Sequence, residues 1–349
     1  MSSSCSDSSA KLMPLSEALS HLLGSAVALV DEETVMLDEA LGRVLSQPVA
    51  STINVPAWDN SAMDGYAVRH RDINGLDALP VVQRIPAGTN GQPLVAGTAA
   101  RIFTGAPIPE GADTVVMQEM VTREGESIRI NGDVMQGSNI RSAGEDIRSG
   151  DKVIEIGTRL HPQHVGLAAS TGIDKLVVKR KLKVAIFTTG DELTMPGHAL
   201  EEGKIYNSNR YLFRGLLEKM GCEVVDLGNV ADQYNATCEA LTIAAAKADL
   251  ILSSGGVSVG EEDYVKKALE DLGRLDLWKI AVRPGKPLAF GNVNDIPFIG
   301  VPGNPVSLFV TFSIFVRPFI LRSMGVSDVT PVEYKVVAGF DWQRPDKRA

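Results

Sequence analysis

From Lys183 to Met324 the chain alternates short apolar runs with amphipathic stretches, and glycine-bearing loops follow several of the runs. Residues 184–187, 250–252 and 298–301 are continuous apolar segments of strand length, and 224–227 is apolar apart from Asp226. Residues 210–220, 236–246, 263–272 and 306–324 carry apolar side chains at helical spacing. Continuous apolar strands joined by helices form a mainly parallel sheet covered on both faces, which predicts a three-layer αβα unit over 180–325. In such a sheet, ligand chemistry belongs in the loops at the carboxyl ends of the strands.

The first half has a different texture. Leu15, Ala18, Leu19, Leu22 and Leu23 predict one helix, and Leu37, Ala40, Leu41, Val44 and Leu45 predict a second that Gln47-Pro48 ends. From Tyr66 to about Arg141, short β-branched runs are broken by Gly and Pro, as in a small, mostly β insertion. Helical material resumes at His161–Ser170, with Pro162 in the first turn and Gly172 beyond the end. The expected organisation is therefore a disordered tail over 1–10, a discontinuous helical domain over 11–60 and 144–179, and a β-rich insertion over 61–143. The αβα domain follows. Over 326–349, Tyr334–Val337 reads as the first strand of an incomplete C-terminal β domain.

A chain of 349 residues exceeds what one core usually organises. A net charge of −9 excludes a general nucleic-acid binder, so any anionic ligand must be met locally. Cys5, Cys222 and Cys238 have no CxxC spacing, which fits a reducing compartment, with the cytoplasm as the default. The serine-rich start lacks the basic and apolar regions of a secretory signal, and Val306–Val316 falls short of the ~20 residues of a membrane span.

The strand-end loops carry most of the chemistry: Thr188-Thr189-Gly190-Asp191-Glu192, Ser253 to Asp263, and Pro302-Gly303-Asn304-Pro305. Glycines there let backbone N–H groups approach a phosphate. Neither GxxxxGK[ST] nor GxGxxG occurs in them, which disfavours an ordinary nucleotide hydrolase or nicotinamide enzyme. Plain crossover turns are the alternative, with Pro305 at a helix start. Asp191, Glu192, Glu262 and Asp263 stand beside these loops, where Mg2+ would reconcile carboxylates with a phosphate. Lys279, Arg283 and Lys286 place three cations within eight residues, suited to a tetrahedral oxyanion such as phosphate, sulfate or molybdate, or simply to solubility. The five histidines are scattered, without a zinc-ligand pattern.

Residues Asp59 to Val68 place two carboxylates among small polar residues after Pro56. They read either as a tight Asp-Gly hairpin or as a polar loop that aims its acids into a cleft.

These segments, together with Thr104-Gly105-Ala106-Pro107, Gly144-Glu145-Asp146-Ile147 and Arg283 to Pro287, run in order through nearly the whole chain. Together they resemble the molybdopterin molybdenumtransferase family, MoeA type, related to the E domain of gephyrin. The resemblance implies insertion of molybdate into adenylylated molybdopterin, with Mg2+-dependent release of AMP, to complete molybdenum cofactor. It implies catalytic roles for Asp64, Thr104, Asp146, Glu192 and Asp263, with Glu192 and Asp263 on the metal. Ser254, Gly255, Gly256, Ser258, Gly260, Asp232, Lys279, Arg283, Lys286, Pro302 and Pro305 would bind substrate. It further implies an elongated homodimer whose site is shared between subunits, a molybdopterin adenylyltransferase upstream, and molybdoenzyme maturation partners downstream. Adenylyl transfer to molybdopterin and a non-catalytic gephyrin-like scaffold are the rival readings; the β insertion and the intact acids favour molybdenum insertion.

Overall fold

The computed structural model describes residues 12–256, 264–285, 287–331 and 333–341. Ser258, Gly260, Asp263 and Lys286 therefore lie outside the described residues. The chain divides into two compact units. The larger contains Met1–Gln47, Ile156–Pro162 and Lys175–Ala349; the smaller contains Pro48–Glu155 and Gln163–Asp174. The expected β insertion, 61–143, falls inside the smaller unit, and the expected αβα segment, 180–325, inside the larger.

The larger unit is built on a six-stranded sheet. Its strand order is Glu223–Val230, Lys183–Thr189, Leu250–Ser254, Ile296–Val301, Pro287–Val293, Gly273–Lys279. The first four strands are parallel, as expected, and the last two are antiparallel additions. Successive residues of Lys183–Thr189 point to opposite faces, and both faces are buried. Val184 and Ile186 pack with Phe213, Leu217, Leu308 and Phe312 from helices Ser208–Met220 and Pro305–Thr311 and the π-turn Phe312–Val316. Ala185 and Phe187 pack with Leu241, Ala244, Val265 and Leu269 from helices Tyr234–Lys247 and Tyr264–Leu272.

The helical path Pro305–Ser323 is long and apolar enough to cross a bilayer by length and composition. Its Leu308, Phe312, Phe315 and Phe319 are at most 2% exposed in the protein core, which explains the apolar composition. The helix Leu15–Ser25 forms as expected and buries Ala18 and Leu22.

The second expected helix, Leu37–Leu45, is not a helix. The chain forms a strand at Glu32–Met36, a 3-10 turn at Leu37–Glu39 and a short strand at Val44–Leu45; both strands pair with Lys175–Lys179. Gly42 sits at φ +79°, a conformation no helix continues through. The expected strand at Tyr334–Val337 is likewise not formed, and its described residues have no regular structure.

The smaller unit centres on a mixed six-stranded sheet, ordered Thr114–Met117, Gly65–Val68, Ala99–Ile102, Leu79–Ile85, Ser127–Ile130, Val121–Glu124. Ala67, Ile85 and Ile102 form the core on one face, and Tyr66, Val116 and Ile128 that on the other. The helix Pro162–Ser170 forms where the sequence places it.

Candidate active site

The order of the large sheet reverses between Lys183–Thr189 and Leu250–Ser254: the strand that follows the first lies on one side of it, and the next lies on the other. A crevice opens at such a switch point, at the carboxyl ends of the strands. Thr189, Ser254 and Val301 end three neighbouring strands there. Because Lys279 pairs with Pro287 and Ala289 with Gly300, the antiparallel strands bring Lys279 and the Ala281–Gly285 loop to the same edge. Asp232 follows Val230 at that edge too. Thus Glu192, Asp232, Ser254, Gly255, Gly256, Lys279, Arg283, Pro302 and Pro305, scattered over more than a hundred residues, share one end of one sheet.

Hydrogen bonds fix this edge. Asn209 Nδ2 donates to Ser254 Oγ (2.8 Å) and to the Gly303 carbonyl (2.6 Å), while Ser254 Oγ donates to the Pro302 carbonyl (3.3 Å). Asn207 Nδ2 donates to Thr188 Oγ1 (2.7 Å), which donates to Asn229 Oδ1 (3.2 Å). Asn207 also caps helix Ser208–Met220 by accepting from Arg210 N (3.2 Å). Asn207 and Asn209 were not singled out from the sequence; Asn-x-Asn directly before an amphipathic helix is a capping signal that marks the first of them.

Near this network, Asn209 Oδ1, Ser253 Oγ and Thr311 Oγ1 are buried without a protein hydrogen-bond partner. Buried polar atoms of this kind are held by ordered water or by a ligand. A side chain on Gly255 would lie 2.5 Å from the Thr189 carbonyl oxygen, and one on Gly256 would lie 2.4 Å from Val265 Cγ2. Gly303, by contrast, is exposed and has only Gly255 Cα, at 4.0 Å, near its missing Cβ.

Asn304 Oδ1 caps the following helix, accepting from Val306 N and Ser307 N (3.0 Å each), and Pro305 occupies its first turn. This is the turn-and-helix-start role weighed for Pro302–Pro305, and it aims the Gly303 backbone at the strand edge.

Arg283 precedes a cis peptide bond to Pro284, and Gly285 at φ +117° packs beside Thr311, where a Cβ would approach Thr311 Oγ1 to 2.7 Å. The loop carrying Arg283 is thereby pinned against the helix that begins at Pro305.

Among the described residues no group of three His, Cys, Asp or Glu side chains is arranged to hold a metal. Mg2+ does not require one: it commonly takes one or two carboxylates and completes its shell with phosphate oxygens and water. Glu192 is exposed at the strand end and folds back over Gly190, with its carboxylate oxygens 2.6–2.8 Å from where a Cβ would stand. It is a donor of the right type. Asp191 is engaged by the backbone, accepting from Asp232 N (3.4 Å).

In the smaller unit, Asp64 Oδ1 accepts from both Thr104 N and Thr104 Oγ1 (2.8 Å each). These two bonds, aided by the more distant Arg101 charge, hold the exposed Asp64 carboxyl below its ordinary range despite some desolvation. Asp64 and Thr104 are thus one unit. Asp59 has a structural role, with its Oδ1 accepting from Ala143 N (2.7 Å). Asp146 is exposed in the loop after Ile140–Arg141, where its N–H donates to the Val55 carbonyl (3.0 Å).

Residues 13–172 match the family model described as the MoeA N-terminal region (domain I and II), and residues 185–322 match that of a probable molybdopterin binding domain. The chain is 44% identical over 316 residues to the molybdopterin molybdenumtransferase of Haemophilus influenzae, covering 90% of this chain and 78% of that one. It is 41% identical to the Nostoc enzyme of the same name, covering 84% of this chain and 70% of that one. The crystal structure of the molybdopterin biosynthesis MoeA protein from Pyrococcus horikoshii superimposes with a TM-score of 0.78 at 34% identity, covering 91% of this chain and 81% of that one. With both halves matched and relatives this similar over most of their length, the chain belongs to the molybdopterin molybdenumtransferase family.

Proposed function

We propose that the protein is a transferase that inserts molybdenum, supplied as molybdate, into adenylylated molybdopterin and releases AMP, completing molybdenum cofactor. The observation that carries this reading is the strand edge of the αβα unit. There, the exposed Gly303 backbone, whose carbonyl accepts from Asn209, adjoins a buried Asn209 side-chain oxygen that lacks a protein partner. Such an edge suits a flat, hydrogen-bonding heterocycle with a phosphate, while Lys279 and Arg283 at the same edge supply positive charge for an oxyanion.

Glu192 is proposed as a Mg2+ ligand, with Asp263 as its partner. The cation would neutralise phosphate oxygens during AMP release. Asp64, kept ionised by Thr104, supplies a fixed negative charge; Asp146 is assigned to the same reaction by family likeness. The protein is further proposed to act in the cytoplasm as a homodimer whose site draws on both subunits. It would receive its substrate from a molybdopterin adenylyltransferase and pass its product to molybdoenzyme maturation partners.

Incubation with adenylylated molybdopterin should release AMP only when both molybdate and Mg2+ are present. Transfer of AMP from ATP to molybdopterin would instead establish the adenylyltransferase reading, and AMP release without molybdate would exclude coupled insertion. For the shared site, mixing Asp64→Asn with Glu192→Gln protein should restore part of the activity; no recovery in proven mixed dimers refutes it.

A further inference from the structure

On the Tyr66 face of the smaller unit's sheet lies a groove of about 390 Å3, lined among others by Tyr66, Val82, Gln83, Arg84, Arg101 and Arg123. It contains three guanidinium groups and no carboxylate. Among the described residues none of the three forms an ion pair, although the chain as a whole carries a charge of −9. Grouping like charges with only the more distant Asp64 carboxylate acting on Arg101 is unfavourable, and a bound anion lowers the cost.

Two of the three are held in place. The Arg84 and Arg101 guanidinium carbons lie 4.5 Å and 4.7 Å from the Phe103 ring centroid, and Arg101 is also 5.1 Å from that of Tyr66. Arg101 donates to the Gly65 carbonyl (3.1 Å) and to Gln118 Oε1 (2.6 Å). Cations fixed this way lose little freedom on binding a ligand.

Their spacing selects the ligand. Arg84 and Arg101 are register partners on adjacent strands, whose backbones run about 4.8 Å apart, so one phosphate can bridge them. Arg123 lies on the Val121–Glu124 strand, two strands beyond that of Arg84 and level with Leu79, five residues along the strand from Arg84, so only its long side chain reaches the shared groove. Its Nε is engaged by the Gly125 carbonyl (3.2 Å), and it suits a second anionic group reached from the same groove. Val82, 55% exposed, and the Tyr66 ring add an apolar wall.

We propose that the groove formed by Arg84, Arg101 and Arg123 binds a small molecule carrying two linked phosphate groups. Its test needs no activity. Isothermal titration of the full chain with inorganic pyrophosphate and with ADP should give saturable binding that weakens with added salt. Orthophosphate should bind more weakly. Binding of ADP tighter than pyrophosphate identifies a nucleotide as the source; equal binding identifies the free diphosphate. Arg84→Gln and Arg123→Gln should each weaken binding about tenfold, with unchanged thermal melting as the control for folding. The proposal is overturned if neither diphosphate binds saturably at millimolar concentration, if both arginine variants bind as the parent does, or if orthophosphate binds equally well. It is also overturned if an acidic peptide occupies the groove where pyrophosphate does not.

Discussion

Gly255 and Gly303 neighbour each other at the strand edge but are glycine for different reasons, and alanine at each position separates the two. Gly255 has φ +92°, and its substituted Cβ would lie 2.5 Å from the Thr189 carbonyl oxygen and 2.9 Å from Thr189 Oγ1. A left-handed conformation costs an L-residue about 1–2 kcal/mol. The obstructing carbonyl belongs to a strand bonded on both sides and cannot rotate away, so overpacking adds about 1–3 kcal/mol. Gly255→Ala should therefore destabilise by about 2–5 kcal/mol, a fall in the melting temperature on the order of 10 °C for a unit of this size.

Gly303 has no positive φ and no atom closer than 4.0 Å to its missing Cβ, so Gly303→Ala should stay within about 0.5 kcal/mol of the parent. If its bare backbone faces the substrate, the added methyl should instead raise KM in the AMP-release assay. Chemical denaturation of both variants alongside that assay decides the matter. A Gly255→Ala variant as stable as the parent, or a Gly303→Ala variant that loses stability comparably and leaves KM untouched, would overturn these roles.

Asp64→Asn should keep the fold and the melting temperature, because the carboxylate is exposed, while AMP release falls at least tenfold; unchanged release would remove Asp64 from the chemistry. Asn209→Ala breaks two bonds at a buried position and should cost about 2 kcal/mol in urea unfolding; a neutral result would show that the strand edge does not depend on it. At Asp249, burial raises the carboxyl pKa, but Arg180 (two bonds of 2.7 Å) and Lys183 N–H (2.8 Å) outweigh it and hold the folded value below the ordinary 3.8. Its stabilisation is complete above that ordinary value and fades as pH falls through the lower folded one. Asp249→Asn should thus destabilise at pH 7 and show a shallower acid limb below pH ~4; parallel acid limbs would contradict this. Burial pushes the Cys222 thiol up to about 12, so iodoacetamide at neutral pH should alkylate the half-buried Cys238 first; equal rates by mass spectrometry would contradict it.

What the sequence revealed and what it hid divide along the range of the interactions involved. The central parallel strands of the large sheet were legible because each carries an apolar run buried on both faces, a pattern that needs no knowledge of the partner strand, whereas the edge strand Glu223–Val230 is half-buried and interrupted by Asp226. The strand-end loops followed from that, and with them the grouping of Glu192, Ser254 and Pro302 at one edge. Leu37–Leu45 misled because Leu37, Ala40, Leu41 and Val44 do recur at helical spacing. The deciding contacts were with Lys175–Lys179, more than a hundred residues away, where Val44 pairs with Lys179 and Arg43 donates to the Lys179 carbonyl at 2.7 Å. Gly42 was the local warning.

The antiparallel strand Gly273–Lys279 does alternate, with Leu275 and Leu277 each following a charged residue, Arg274 and Asp276, but it begins directly after a helix ending at Leu272, with Gly273 alone at the join. Its pairing with Pro287–Val293 is what carries Lys279 and Arg283 to the edge. The clustered cations were thus visible in sequence, while their position at the strand edge was not. The same limit applies to Arg84, Arg101 and Arg123. Thirty-nine residues separate the first from the last, and nothing in their spacing suggests a group until the register of four strands places them along one face. A sequence states which chemistry a loop carries; only pairing across the sheet states which loops and side chains act together.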